Sequence, residues 1–115
     1  MIYCKRVYEP AEPGDGYRVL VDRLWPRGVK KNALRMDLWC KDVAPSQALR
    51  RAFHASLLGY DDFRAAYCRE LGANEAGWRP LASRAGKGNV TLLYAARDKV
   101  RNHAMILAAF LLSAG

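Results

Sequence analysis

A chain of 115 residues that is 51% apolar and 26% charged has the length and composition of one globular domain, which excludes two independent cores, a disordered chain and a collagen-like repeat. Nineteen Lys and Arg against eleven Asp and Glu give a formal net charge of +8, which predicts attraction to anions: nucleotides, nucleic acid or an acidic partner. Cys4, Cys40 and Cys68 are odd in number and far apart, and with two histidines they make neither a disulfide framework nor a zinc site, so no metal and no cofactor is expected.

Residues 2–8 alternate apolar and polar among β-formers and predict the first strand. Residues 9–16, carrying Pro10, Pro13, Gly14 and Gly16, predict a turn into a second strand over residues 17–23, built on Val19, Leu20 and Val21 and closed by Pro26 and Gly28. A weaker third strand falls at residues 36–41. Ser46 after Pro45 is a good N-cap for a helix with Leu49, Ala52, Phe53 and Leu57 on one face. Asp61 or Asp62 caps a second helix, with Phe63, Ala66, Tyr67 and Leu71 inward and Gly72 at its end. A third stripe, Trp78, Leu81, Ala82 and Ala85, precedes Gly86 and Gly88, and tolerates Pro80 only in its first turn.

Residues 90–96 are an uninterrupted apolar run that suits a strand covered on both faces by helices. The last helix, over about residues 99–112, takes Asp98 or Asn102 as cap and is apolar nearly all round from Ala104, which predicts deep burial. Strands separated by helices or long connections, without a hairpin signal, predict a single α/β domain: a mostly parallel four-stranded sheet flanked by helices in Rossmann-like layers. The N-terminus has no basic segment followed by an apolar one, and the run 104–112 is too short to span a bilayer, so the chain is expected in the cytoplasm and away from membranes.

The charge is concentrated. Residues 16–35 hold six basic residues against Asp22 alone, and residues 79–101 hold six against Asp98 alone. In a parallel sheet the strand C-termini share one edge, where ligands of open α/β sheets bind, so the loops after the second and fourth strands converge there. The candidate ligand-binding residues are Arg6, Arg23, Trp25, Arg27, Arg97 and Asn102. Arg27, between Pro26 and Gly28, offers a guanidinium fork, Trp25 a stacking surface, and residues 97–103 a helix N-terminus that favours anions. His103, as a base, and Asp22 are the candidate catalytic residues, with Asp98 read as N-cap or as acid–base partner to His103, although a histidine in the first turn of a buried helix and an aspartate in a salt bridge to a neighbouring arginine are equally structural roles. His54 lies beside the apolar stripe of its helix and reaches either the site or the helix end. The three cysteines read as core, and Trp39 and Trp78 as packing residues.

The stretch Gly16-Tyr17-Arg18-Val19-Leu20-Val21-Asp22-Arg23-Leu24-Trp25-Pro26-Arg27-Gly28 is flanked by residues 4–10 and followed by Leu92-Leu93-Tyr94-Ala95 and Asn102-His103-Ala104. It resembles the YeaO-like family of bacterial proteins, domain of unknown function 488, over essentially the whole chain. The resemblance implies a small, single-domain, cytoplasmic α/β protein. It brings no catalytic residue, substrate or cofactor.

Two readings follow. One is an enzyme or binding protein for an anionic small molecule, a nucleotide or phosphorylated metabolite. The other is a non-catalytic nucleic-acid-binding module in which the same basic edge, extended by Lys30, Lys31, Arg35 and Lys87, tracks a phosphate backbone. A concave pocket below about 1,000 Å³ favours the first and a flat basic stripe the second.

Overall fold

The computed structural model describes residues 1–114. Its four strands, β1 (Ile2–Arg6), β2 (Tyr17–Leu20), β3 (Leu38–Trp39) and β4 (Val90–Tyr94), form one sheet in the order β1-β4-β2-β3, with every pairing parallel. Strand β4 lies at the centre, with Val90 opposite Ile2 on one side and Tyr17 on the other, and all five of its residues are buried. Each strand is shorter than its sequence pattern predicted, because the chain leaves the sheet as soon as it reaches the loops of the C-terminal edge. Four helices follow: α1 (Gln47–His54), α2 (Tyr60–Gly72), α3 (Glu75–Ala85) and α4 (His103–Ala114).

Alternation along the strands divides the core. Val19, Val21, Leu92 and Tyr94 pack with Leu49, Tyr67, Trp78 and Leu107 of the four helices. Leu20 and Leu93 point the other way with Val7, under Trp25, Val29, Leu34, Met36 and Trp39. This corrects the expectation of helices on both faces: β4 is covered on one side by helices and on the other by the long connection between β2 and β3. Apolar content alone does not distinguish the two kinds of cover.

The same second face ends in a polar cluster. Asp15 pairs with both Arg18 and Lys5, whose Nζ also reaches Glu12 Oε1 at 2.8 Å, while Thr91 Oγ1 donates to the Asp15 carbonyl at 2.7 Å. Burial acts to raise the Asp15 carboxyl, but the Glu12 amide, Lys5 and Arg18 together hold it below its ordinary value. At Gly16, with φ of 66°, an added Cβ would lie 2.2 Å from the Asn89 carbonyl oxygen, so only glycine lets the chain pass this strand start.

Ser46 caps α1 as expected, its Oγ accepting the Leu49 amide at 3.2 Å, and Glu70 on α2 holds both the Ser46 amide and hydroxyl. Other details differ. Helix α1 ends at His54 and Ser56 turns the chain at φ of 60°, which leaves Leu57 exposed instead of on the inward face. Helix α2 is capped by Gly59, so Asp61 and Asp62 occupy its first turn, where their charge favours the helix dipole. Pro80 sits in the middle of α3, on its exposed side, not in the first turn.

Helix α4 begins at His103 because Asn102 Oδ1 caps the Met105 amide at 3.0 Å. Asp98 instead closes its own turn, accepting the Val100 and Arg101 amides at 2.9 Å each, and those two donors hold its carboxyl below the ordinary value. Helix α4 buries Ala104, Ile106, Leu107 and Leu111 but exposes Met105 and Leu112, so its apolar circumference does not mean burial all round. Among the described residues no helix is long and apolar enough to cross a membrane.

Candidate functional site

The parallel sheet delivers the loops after β2 and β4 to the same edge, as expected from topology. Between them and the start of α1 lies a cleft of about 360 Å³. Asp22, Arg23, Trp25, Arg27, Asn102 and His103, six of the eight candidate residues, line it, and His54 joins them. Arg6 and Arg97 do not line it. Sequence reasoning did not select Arg50, which comes from α1, nor Phe53 and Phe63; the apolar stripes of α1 and α2 marked both phenylalanines as core, and Arg50 gave no signal of its own.

Asp22 leaves β2 with its carboxylate turned toward β4: Oδ2 accepts the Ala95 amide at 3.0 Å, and Oδ1 lies 3.0 Å from His103 Nε2. The same Nε2 lies 3.1 Å from the Val21 carbonyl oxygen. Both neighbours only accept, so Nε2 carries the imidazole proton and donates it to the Val21 carbonyl. Oδ1 is buried and accepts no hydrogen bond among the described residues, so its 3.0 Å approach to His103 is a contact of charge with an imidazole. The pair therefore ties the end of β2 to the first residue of α4, across the floor of the cleft. Its remaining capacity is the other ring nitrogen, Nδ1, a free acceptor in the neutral imidazole.

Several candidate side chains are occupied by the scaffold. Arg23 Nε donates to the Pro45 carbonyl at 3.1 Å and its terminal nitrogen to Ala44 at 3.4 Å, fixing the segment before α1. Trp25 Nε1 donates to Val29 O at 2.6 Å, and its ring meets Trp39 edge-on at 5.2 Å. Asn102 is 2% exposed; its amide group donates to the Asp98 carbonyl and its oxygen caps α4. Arg6 donates to the carbonyls of Ala96 at 2.9 Å and Ala95 at 3.2 Å, beneath the loop that leads to α4.

Arg27, Arg50 and Arg101 stand apart. None of their guanidinium groups has a hydrogen-bond or ion-pair partner among the described residues, and they enter the lining from three different elements. The position of Arg27 is built locally. Gly28 takes φ of 75°, the Trp25–Val29 bond closes the loop, and Tyr8 Oη donates to the Arg27 carbonyl at 2.9 Å, so this residue projects at the mouth. The apolar part of the lining is Phe53, which stacks on Phe63 at 4.3 Å between centroids, with Pro26, Pro45, Ala95 and Ala96.

Four arginines and two histidines thus face one carboxylate, Asp22, in the described lining, which contains no serine, threonine, cysteine or lysine. Among the described residues no three His, Cys, Asp or Glu side chains come together to ligate a metal ion.

The family described as the inactive DUF488-N3 subclade matches residues 1–114. The chain is 52% identical to the uncharacterized protein YeaO of Escherichia coli (strain K12) over 112 residues, 97% of each chain. It is 44% identical over 106 residues to the uncharacterized proteins Mb3100c of Mycobacterium bovis and Rv3073c of Mycobacterium tuberculosis, covering 92% of this chain and 89% of each relative. No solved structure matches it.

Proposed function

The chain belongs to the DUF488 family, in its inactive N3 subclade, and we propose that it is a non-catalytic binding protein for a nucleotide-like anion held in the cleft at the C-terminal edge of the sheet. The observation that carries this reading is that the guanidinium groups of Arg27, Arg50 and Arg101, without partners among the described residues, line one concave cleft with an apolar part. A phosphate accepts bidentate bonds from arginine forks, and a cleft with aromatic lining and few polar groups is the usual form of a small-molecule site. The volume of about 360 Å³ lies within the range for such sites and favours a pocket over a flat stripe.

Two features support binding without turnover. The subclade is described as inactive, and the lining offers no hydroxyl, thiol or amine nucleophile. In this reading Asp22 and His103 hold the cleft in shape and present Nδ1 as an acceptor to the ligand, while Arg23, Trp25 and Asn102 position the loops. Three free, part-buried thiols fit a reducing compartment and so a cytoplasmic place of action.

Isothermal titration with a nucleoside monophosphate, the matching nucleoside and inorganic phosphate tests the reading. The monophosphate binds at least about tenfold more tightly than either fragment, because it engages both wall and rim. Phosphorus NMR of the incubated monophosphate shows no bond cleavage. Equal binding of phosphate and monophosphate would remove the apolar wall from the site, and cleavage would make the protein an enzyme.

A further inference from the structure

We infer that the ligand of this cleft is one nucleotide of a single-stranded nucleic acid, its base against the apolar wall and its flanking phosphates on the rim arginines. The inference rests on the binding reading above and specifies the source of the anion.

The cleft holds more cations than one phosphate needs. Two arginine forks suffice to hold one phosphate, yet Arg27, Arg50 and Arg101 enter the mouth from the loop after β2, from α1 and from the loop before α4. More cations surround them. Arg51 follows Arg50 on α1, Arg97 lies on the same loop as Arg101, and Arg64 shares the surroundings of the Tyr60 hydroxyl with Arg101; all three are exposed. This surplus is not neutralised from within. Several carboxylates are spent on internal bonds, Asp15 on Lys5 and Arg18 and Glu70 on Ser46, while Asp98 beside Arg101 and the exposed Asp61 and Asp62 offset only part of the surplus. The cleft therefore draws positive charge from three separate elements, more than one phosphate requires, which matches a strand entering and leaving the site.

The wall supplies the second requirement. Half-buried Phe53, backed by the buried Phe63, Pro26 and Pro45, offers an apolar face, and every base has a π-face that an aromatic surface accepts without regard to sequence. A cleft of about 360 Å³ admits one base and excludes paired ones, so a duplex would have to open before it could bind.

Fluorescence anisotropy on the full chain decides the matter with three probes: a labelled oligodeoxynucleotide of about ten nucleotides, its RNA counterpart, and an abasic strand of the same length, each challenged with a free nucleoside monophosphate. The base-bearing strands bind at least about tenfold more tightly than the abasic strand, since stacking is worth that much per base, and about tenfold more tightly than the monophosphate. The logarithm of the affinity falls with the logarithm of salt with a slope near about −2, as neutralisation of three single-strand phosphates requires. Arg50→Ala and Arg101→Ala each weaken strand binding about tenfold and flatten that slope, with thermal unfolding unchanged. Equal affinity for strand and monophosphate would overturn the inference while leaving the pocket reading intact. Equal affinity for the abasic strand would show backbone tracking outside the cleft and also overturn it. No binding of strand or monophosphate would remove both readings together.

Discussion

His103 Nε2 stands 3.0 Å from Asp22 Oδ1 and 3.1 Å from the Val21 carbonyl, which takes its hydrogen bond, so the imidazole packs against both where the end of β2 meets the start of α4. Asp22 is the residue best placed to test whether this contact is architectural. In Asp22→Asn the carboxamide oxygen still accepts the Ala95 amide, but its NH₂ then faces the His103 N–H, two donors in opposition. Relief requires the imidazole proton to move to Nδ1, which leaves Val21 without its donor. Asp22→Asn therefore costs about 1 to 3 kcal/mol of folding stability, the range for a buried group left unsatisfied. Nitrogen NMR of the imidazole reports the proton on Nε2 in the wild type and on Nδ1 in the variant. An unchanged tautomer with unchanged stability would show that the contact does not hold the two loops together.

Leu92 and Leu93 are adjacent, both fully buried, and face different covers. Leu92 points into the helical layer, where rigid elements collapse poorly around a cavity. Leu93 lies under the β2–β3 connection, irregular chain that settles more easily. Both Leu→Ala changes fall within the usual range of about 2 to 5 kcal/mol, Leu92→Ala near its top and Leu93→Ala near its bottom. Urea denaturation measures both, and a larger loss at Leu93 would mean that the loop cover is as stiff as the helical one.

That contrast also shows what the sequence discloses. The parallel α/β class was legible because the run Val90–Tyr94 is apolar but for Thr91 and buried throughout, and Ser46 and Asn102 start helices with cap chemistry that acts locally. Convergence of the loops after β2 and β4 followed from strand direction alone. The cover on each face did not, because Leu93 requires only burial and is indifferent to whether helix or loop provides it. Likewise an arginine's residue type gives its charge but not its commitments. Arg6 and Arg27 read alike in sequence, yet Arg6 spends its guanidinium on the carbonyls of Ala95 and Ala96 while that of Arg27 remains free. Arg50 was missed because it reaches the cleft through the placement of α1 against the sheet edge, a tertiary fact.

The cluster beneath residues 10–16 predicts a pH dependence. Asp15 is held below its ordinary value of 3.8 in the folded protein by the Glu12 amide, Lys5 and Arg18, against the opposing effect of burial. A carboxyl depressed on folding contributes stability that is present above its unfolded value and is lost as the pH falls through the lower folded one. Wild-type stability thus declines below about pH 4, and Asp98, also depressed, acts in the same direction. Asp15→Asn removes part of that decline and lowers stability at neutral pH, where the buried Arg18 loses its anion. Urea midpoints taken between about pH 6 and pH 2 distinguish the two proteins; parallel curves would mean that Asp15 is not linked to folding.

Arg27 and Lys31 belong to the same loop and carry the same charge, yet they differ in what surrounds them. The backbone of Arg27 is fixed in the cleft lining by the Gly28 turn, the Trp25–Val29 bond and the Tyr8 hydroxyl, so its planar fork starts from a defined place beside the cleft. Lys31 is exposed and outside the cleft lining, and its ammonium must give up rotamer freedom for any bond it makes. Arg27→Ala therefore weakens binding of a nucleoside monophosphate by about 1.5 to 3 kcal/mol, the worth of a charge-assisted bond, which is roughly ten- to more than hundredfold in affinity. Lys31→Ala changes it by less than about 0.5 kcal/mol. Neither substitution moves the thermal midpoint, because neither side chain makes a hydrogen bond or ion pair among the described residues. Arg6→Ala behaves in the opposite way. It lowers stability by about 1 to 3 kcal/mol through the two carbonyls it abandons, and affects binding only as far as the loop before α4 shifts. Calorimetric titration and thermal unfolding of the three variants give the full pattern. Equal small losses of affinity at Arg27 and Lys31 would mean that the anion is held by diffuse surface charge and that the cleft plays no part in its capture.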